Sequence, residues 1–227
     1  MRHQLGTLAK GMVVMVRTTI LAMAVVVIGL GSVAWPQRRL ESLPKKQLVK
    51  VGMVLAGVSN KLIEPPIKFE LEEEKCVGLG ILGVGIVVAL PDKKFNTSKV
   101  AMGSKAPIPF GQLFLYQFSL IKNGNPVPKK SVRVVTFTSS AGEKFKFGLF
   151  DLVIALTDKR NPLLLIYGKG PKPLSQLQLN RSDKKFQEIL TLESGESTPN
   201  TPDIPVTITF TGIYHAEILV RAESGAL

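Results

Sequence analysis

The residues that could do chemistry are few and lie apart. Gly78, Gly80 and Gly83, in VGLGILGVG, spell the G-x-G-x-x-G spacing with which a loop between a strand and a helix cradles a pyrophosphate. That chemistry also needs a strand before the glycines, a helix opening after them and an acid about 20 residues on. Here Glu72-Glu73-Glu74-Lys75 comes first and a valine-rich run continues to Pro91. The context is that of a glycine-rich strand whose bare backbone lets a neighbour approach closely.

A second constellation is His215, Glu217 and Arg221. In a strand from Ile213 to Arg221 the odd residues share one face, so the three could form an acid–base pair or a metal-dependent binding face. The polar face of an ordinary strand alternates in the same way, and no Ser or Cys nucleophile is assignable to the trio. One Cys and two His exclude an intramolecular disulfide, a Cys/His zinc site and a blue-copper centre within the chain. Glu70, Glu72, Glu73 and Glu74 lie partly along a strand rather than converging in a loop, which reads as a surface acidic patch and not a calcium site. No catalytic, cofactor-binding or metal residue is therefore assigned, and no cofactor is expected.

The 227 residues carry 29 Lys+Arg against 17 Asp+Glu, a net charge of +12. More than half of the excess flanks one apolar segment. Arg2, Lys10 and Arg17 precede or open it, and Arg38, Arg39, Lys45, Lys46 and Lys50 follow it against the single acid Glu41. Bases so placed set membrane orientation or meet anionic lipid more readily than they grip a phosphate backbone. The pairs Lys93-Lys94, Lys129-Lys130 and Lys184-Lys185 are scattered without interleaved aromatics, so no nucleic-acid partner is expected. A cytoplasm-facing chain that binds nucleic acid or lipid through its basic linker is the alternative the charge leaves open.

From Thr18 to Trp35 no residue is charged, and Met12 to Val16 is apolar as well. A helix from Met12 to Trp35 could cross a hydrocarbon core of about 30 Å, with Arg17 snorkelling at one interface and Trp35, Arg38 and Arg39 at the other. Residues 1–35 are read as a membrane anchor, or as a signal sequence cleaved after Ser32-Val33-Ala34; the long apolar lead-in favours the anchor. The positive-inside count leans towards a cytoplasmic carboxyl side, whereas the downstream domain suits the extracytoplasmic side.

Residues 36–50 read as a basic linker, a solvated stalk ahead of a domain spanning 51–227. Ile67, Phe69 and Leu71 alternate with charged residues as in a half-buried strand, and Val77 to Leu90 reads as a buried strand or bent strand pair. Short apolar segments follow at Leu113–Ile121, Ser131–Ser139, Lys144–Phe150, Leu152–Thr157, Leu163–Tyr167, Leu174–Leu179, Val206–Phe210 and Ile213–Ala222. Asn123-Gly124, Ala141-Gly142, Asn161-Pro162 and Gly170-Pro171 supply turns between them. Helical spacing is weak everywhere past residue 60, best around Phe186 to Leu192, and Glu193 to Pro205 has loop composition. The pattern predicts an all-β sandwich or barrel.

The passage LIKNGNPVPKKSVRVVTFT, Leu120 to Thr138, resembles the strand–turn–strand of bacterial immunoglobulin-like modules, with Asn123-Gly124 making the tight turn and Pro126 and Pro128 holding the connection outside the sheet. TGIYHAEILVRA, Thr211 to Ala222, is similar to the penultimate strand of such a sandwich, with Tyr214 at the tyrosine corner and Ala216 at the cysteine position. Phe210 replaces the usual acid and no partner Cys exists. The resemblance covers about a third of the chain and implies an Ig-like Greek-key β-sandwich, which the apolar segment above would precede as one transmembrane helix. It implies only a tendency towards adhesion, spacing or assembly roles outside the cytoplasm. Taken with one apolar span ahead of an all-β domain without a catalytic constellation, the expectation is a non-enzymatic, single-pass, extracytoplasmic structural, adhesion or accessory subunit of an envelope complex, with the lipid bilayer and a protein as partners. Asn96-Thr97-Ser98 and Asn180-Arg181-Ser182 are glycosylation triplets that matter only in a secretory eukaryotic setting.

Overall fold

The computed structural model describes residues 39–62, 67–81, 83–95, 106–139, 142–157, 161–181, 188–197 and 201–223. The protein is all-β with one α-helix among these residues. A two-residue strand β1 (Glu41–Ser42) leads into the helix α1 (Lys45–Ser59). Then come β2 (Val77–Ile81), β3 (Gly85–Pro91), β4 (Ile108–Tyr116), β5 (Phe118–Lys122), β6 (Asn125–Pro126), β7 (Arg133–Thr138) and β8 (Lys144–Leu156). The chain continues with β9 (Pro162–Tyr167), β10 (Ser175–Gln178), β11 (Asn180–Arg181), β12 (Leu190–Ser194), β13 (Asp203–Phe210) and β14 (Tyr214–Ala222).

Two sheets, antiparallel throughout, pack face to face. The larger runs β1-β2-β3-β4-β8-β9-β10, with β7 beside the first half of β8; the smaller runs β12-β13-β14-β5-β6, with β11 beside β14. Between them lies a core that includes Phe110, Phe150 and Phe210, all at most 1% exposed. Phe110 meets Phe95 and Phe210 edge-to-face at 4.7 and 4.4 Å. The register of β4 against β8 shifts between Pro109 and Gly111. Even residues Ile108 and Phe110 face this core before the bulge, and odd residues Leu113 and Leu115 after it.

The larger sheet is buried on its second face too. Val88, Leu90, Phe114, Phe147 and Leu149 pack there under Leu48, Leu55 and Ala56 of α1 and under Phe69 and Leu71. A strand covered on both sides reads as continuously apolar, which is why β3 and β8 look like unbroken hydrophobic runs. Two Asp92 oxygens accept the backbone N–H groups of Glu70 and Lys94 at 2.8 and 2.7 Å and tie the covering segment to the end of β3.

Several expectations change in detail. The stretch 36–50 is not a free stalk from Arg39 onward: Leu40 is 2% exposed, β1 pairs with β2, and Lys45–Lys50 opens α1. Its lysines face solvent while Leu48 enters the core, so composition concealed a helix. Ile67–Leu71 shows the anticipated alternation of burial but forms only an isolated bridge, Leu71 to Asp92. The weak helical spacing near residue 190 is instead the strand β12, and the two segments around Asp151 are the single strand β8. Pro126 lies within the short edge strand β6 rather than outside the sheet.

The glycine-rich run forms a hairpin. A Cβ on Gly78 would come 2.6 Å from Leu48 Cδ2, and one on Gly80 would come 2.9 Å from Ile86 Cγ2. Gly83 sits in the turn at φ +75 with nothing within 4 Å, so its requirement is conformational. The dense packing anticipated for Gly83 belongs instead to Gly78, Gly80 and Gly85, where a Cβ on Gly85 would come 2.9 Å from Phe118 and closer still to the Tyr116 carbonyl. Replacing Gly78 with Val should lower stability by roughly 1–3 kcal/mol, as an overpacked contact does. Gly57→Ala, on the exposed side of α1 with nothing within 4 Å, should raise it by about 0.5–1 kcal/mol. Urea denaturation midpoints check both, and equal shifts would show that the helix does not press on Gly78.

Candidate functional site

Of the residues assigned to a membrane interface, Arg17, Trp35 and Arg38 lie outside the described residues, and Arg39 is exposed at the entry to the fold. No helix among the described residues is long and apolar enough to cross a membrane; Met12 to Trp35 lies outside them. Asn96 and Lys184-Lys185 also fall outside, while Asn180 is exposed on β11 opposite His215.

His215 and Glu217 share a face of β14 as the alternation requires, half-buried and exposed respectively, and neither side chain makes a hydrogen bond or ion pair among the described residues. Arg221 is committed elsewhere. Its Nε lies 2.6 Å from Asp203 Oδ1 and its Nη2 3.1 Å from Oδ2, and Nη2 also donates to the Gly124 carbonyl at 3.2 Å. This pair fastens β13 to β14 and to the Asn123-Gly124 turn. The acidic patch is likewise met by bases: Glu72 by Lys75 at 3.0 Å, Glu73 by Lys93 at 3.3 Å, and Glu70 by Lys94. Among the described residues no three His, Cys, Asp or Glu side chains are grouped to hold a metal.

The densest polar arrangement is one the sequence reading passed over. Asp151, fully buried in the middle of β8, takes Arg133 of β7 in a two-pronged ion pair, Nη1 to Oδ1 at 3.2 Å and Nη2 to Oδ2 at 2.8 Å. Gln112 Nε2 of β4 also donates to Asp151 Oδ1 at 2.8 Å, and Ser59 Oγ, in the last residue of α1, donates to Gln112 Oε1 at 2.6 Å. Arg133 Nη2 further donates to the Gly168 carbonyl at 2.8 Å. Four elements and a loop are thereby cross-braced on the helix-covered face of the larger sheet. The signal was legible: a lone acid inside GLFDLVIAL must find a cation once its neighbours are buried.

A cleft of about 410 Å³ opens where β4 crosses to the other sheet as β5. The crossing turns on Gln117, a non-glycine residue at φ 58, whose carbonyl accepts the Glu223 N–H at 2.9 Å. One face of the β7–β8 hairpin is open here, with Val134, Thr136, Lys144 and Lys146 exposed. Leu115, Val127, Val132 and the 52%-exposed Val134 line the cleft, with Lys144 and Lys146 along one side. Lys129 faces Glu223 at 3.6 Å, whereas Lys144 and Lys146 have no acid in ion-pair range among the described residues. β7 pairs only with β8, so its outer edge has no neighbouring strand among the described residues.

Cys76 is a buried free thiol beneath α1, pushed up to about 12 by burial, with Lys45 opposing the shift. Such a thiol is neither nucleophile nor ligand at neutral pH.

No protein-family model, no curated protein and no solved structure matches this chain.

Arg133→Ala should cost roughly 3–5 kcal/mol, because it strands the buried Asp151 charge. The joint replacement Arg133→Met with Asp151→Leu should cost less than the sum of the single changes in a double-mutant cycle of urea denaturation. A loss below about 1 kcal/mol for Arg133→Ala would mean the pair is screened like a surface one. For Cys76, the folded protein holds a proton that the unfolded chain releases near its ordinary value of 9.0. The stability this contributes is full below pH 9.0 and is lost progressively as pH rises towards about 12, by at most about 1.4 kcal/mol per unit. Iodoacetamide should leave the native thiol unmodified at neutral pH and label it after unfolding; rapid native labelling would contradict the burial.

Proposed function

We propose that this chain is a membrane-anchored, non-enzymatic β-sandwich that serves as a structural, adhesion or accessory subunit, its folded domain on the extracytoplasmic side. The observation that carries the reading is the cleft beside β7. An unpaired, β-branched edge with exposed Val134 borders a groove of mixed polar and apolar lining, in which Leu115, Val127 and Val132 lie beside two unpartnered lysines, and an extended acidic segment of a protein partner suits all three features. Backbone hydrogen bonds from β7 would supply affinity, the groove would take alternate apolar side chains, and Lys144 and Lys146 would select acids. The anchor rests on the uncharged run Thr18–Trp35.

An Ig-like Greek key is part of the same proposal. Its supports are the Asn123-Gly124 hairpin, the buried Ala216 on β14, and the placement of β5 beside β14 and of β4 beside β8, neighbours that are not consecutive in the chain.

In sealed vesicles from producing cells, detergent but not alkaline carbonate should extract the chain, and protease added on the extracytoplasmic side should digest the domain. Digestion only after the cytoplasmic side is opened would reverse the topology, and carbonate release would remove the anchor.

A further inference from the structure

Helix α1 contains no acid, and its solvent-facing stripe reads Lys46, Lys50, Met53, Gly57, one residue per turn. Met53, 58% exposed, is the most exposed large apolar side chain among the described residues. Half-buried Val49 and Val54 flank it. Between Arg39 and Leu62 the sole acid is Glu41, against Arg39, Lys45, Lys46, Lys50 and Lys61. Lys45 and Lys46 in the first turn oppose the helix dipole, so helix stability does not account for them. A face that mixes exposed methionine with lysines, on a helix whose other side is fixed in a core, has the character of an interfacial helix.

Chain length adds an independent constraint. Leu40 is buried, and its N–H donates to Ser194 Oγ of the smaller sheet at 2.9 Å. Residues 36–39 alone separate it from Trp35, so the fold begins at most roughly 17 Å from the end of the apolar segment. A domain on so short a lead cannot swing clear of the surface, and the basic residues nearest that lead are those of α1.

We infer that the exposed face of α1 docks on an anionic bilayer surface, Met53 entering the interface and Lys46 and Lys50 meeting lipid phosphates. This orientation rests on the anchor proposed above. It leaves the β7 edge, in the same sheet but with its open face turned away from the helix, available to a protein partner.

The test uses the full chain in vesicles of phosphatidylcholine with phosphatidylglycerol. A nitrobenzoxadiazole label is placed through Met53→Cys and, in a second sample, through Thr136→Cys; the buried Cys76 stays unlabelled. Lipid-borne nitroxide should quench the label at 53 and not the label at 136. Lys46→Glu with Lys50→Glu should weaken docking about 30-fold or more, seen as loss of that quenching. Retention through alkaline carbonate with no quenching at 53 would overturn docking and leave the anchor standing. Release by carbonate with quenching intact would remove the anchor and keep the docking face; release without quenching would overturn both.

Discussion

A carboxylate with no access to water governs how this molecule is assembled. Asp151 is fully buried inside β8, and its carboxylate oxygens are met by Arg133 and Gln112, which arrive from the strands on either side. The helix end joins through Ser59, and the turn after β9 through the Gly168 carbonyl. A buried ion pair of this kind adds little net stability compared with apolar groups of equal size, yet its loss on one side is severe. It therefore acts as a registration device: β4, β7, β8 and α1 fit together in one alignment, and a slip of one residue would put Asp151 into the apolar core between the sheets.

That face of the sheet explains the order of the rest. Because the larger sheet is covered twice, it needs a second apolar layer, and α1 with the segment Ile67–Cys76 supplies it. Leu48, Leu55, Ala56, Phe69 and Leu71 close over β3, β4 and β8, and Cys76 fills the space beside Gly52. Gly78 is bare because Leu48 arrives there. The glycine spacing that suggests a nucleotide loop is thus explained by helix packing at Gly78, by the close approach of Ile86 from the paired strand at Gly80 and, at Gly83, by a turn.

Much of the strand content was readable from the chain because alternation and turn residues are local. Asn123-Gly124 does turn with both residues at positive φ, and Val77–Leu90 is a hairpin. What escaped the sequence was non-local. The buried positions of α1 are Leu48, Gly52, Leu55, Ala56 and Ser59, a helical spacing whose glycine and serine dilute any hydrophobic stripe. Lysines on the opposite side gave the same stretch the look of a linker. The division of Leu113–Ile121 into β4 and β5 depends on one backbone angle at Gln117, which no residue preference announces. The cleft exists only because those two strands enter different sheets. Arg221, grouped by alternation with His215 and Glu217, was claimed instead by Asp203 on the neighbouring strand.

The way the chain enters the fold also has a mechanical side. Tension applied at Arg39 falls first on Leu40, held between the sheets by its burial and its bond to Ser194, and then on the two residue pairs of β1 with β2. Leu43 adds one more bond, its N–H to the Gly78 carbonyl at 3.0 Å, before the helix begins. These fastenings are short and sit in series, so a pull would open them one after another rather than shear a long strand at once. The two-sheet body, whose longest ladders join β4 to β8 and β13 to β14, would remain folded while the first residues peeled away. The entry segment is a yielding coupling ahead of a stiff body.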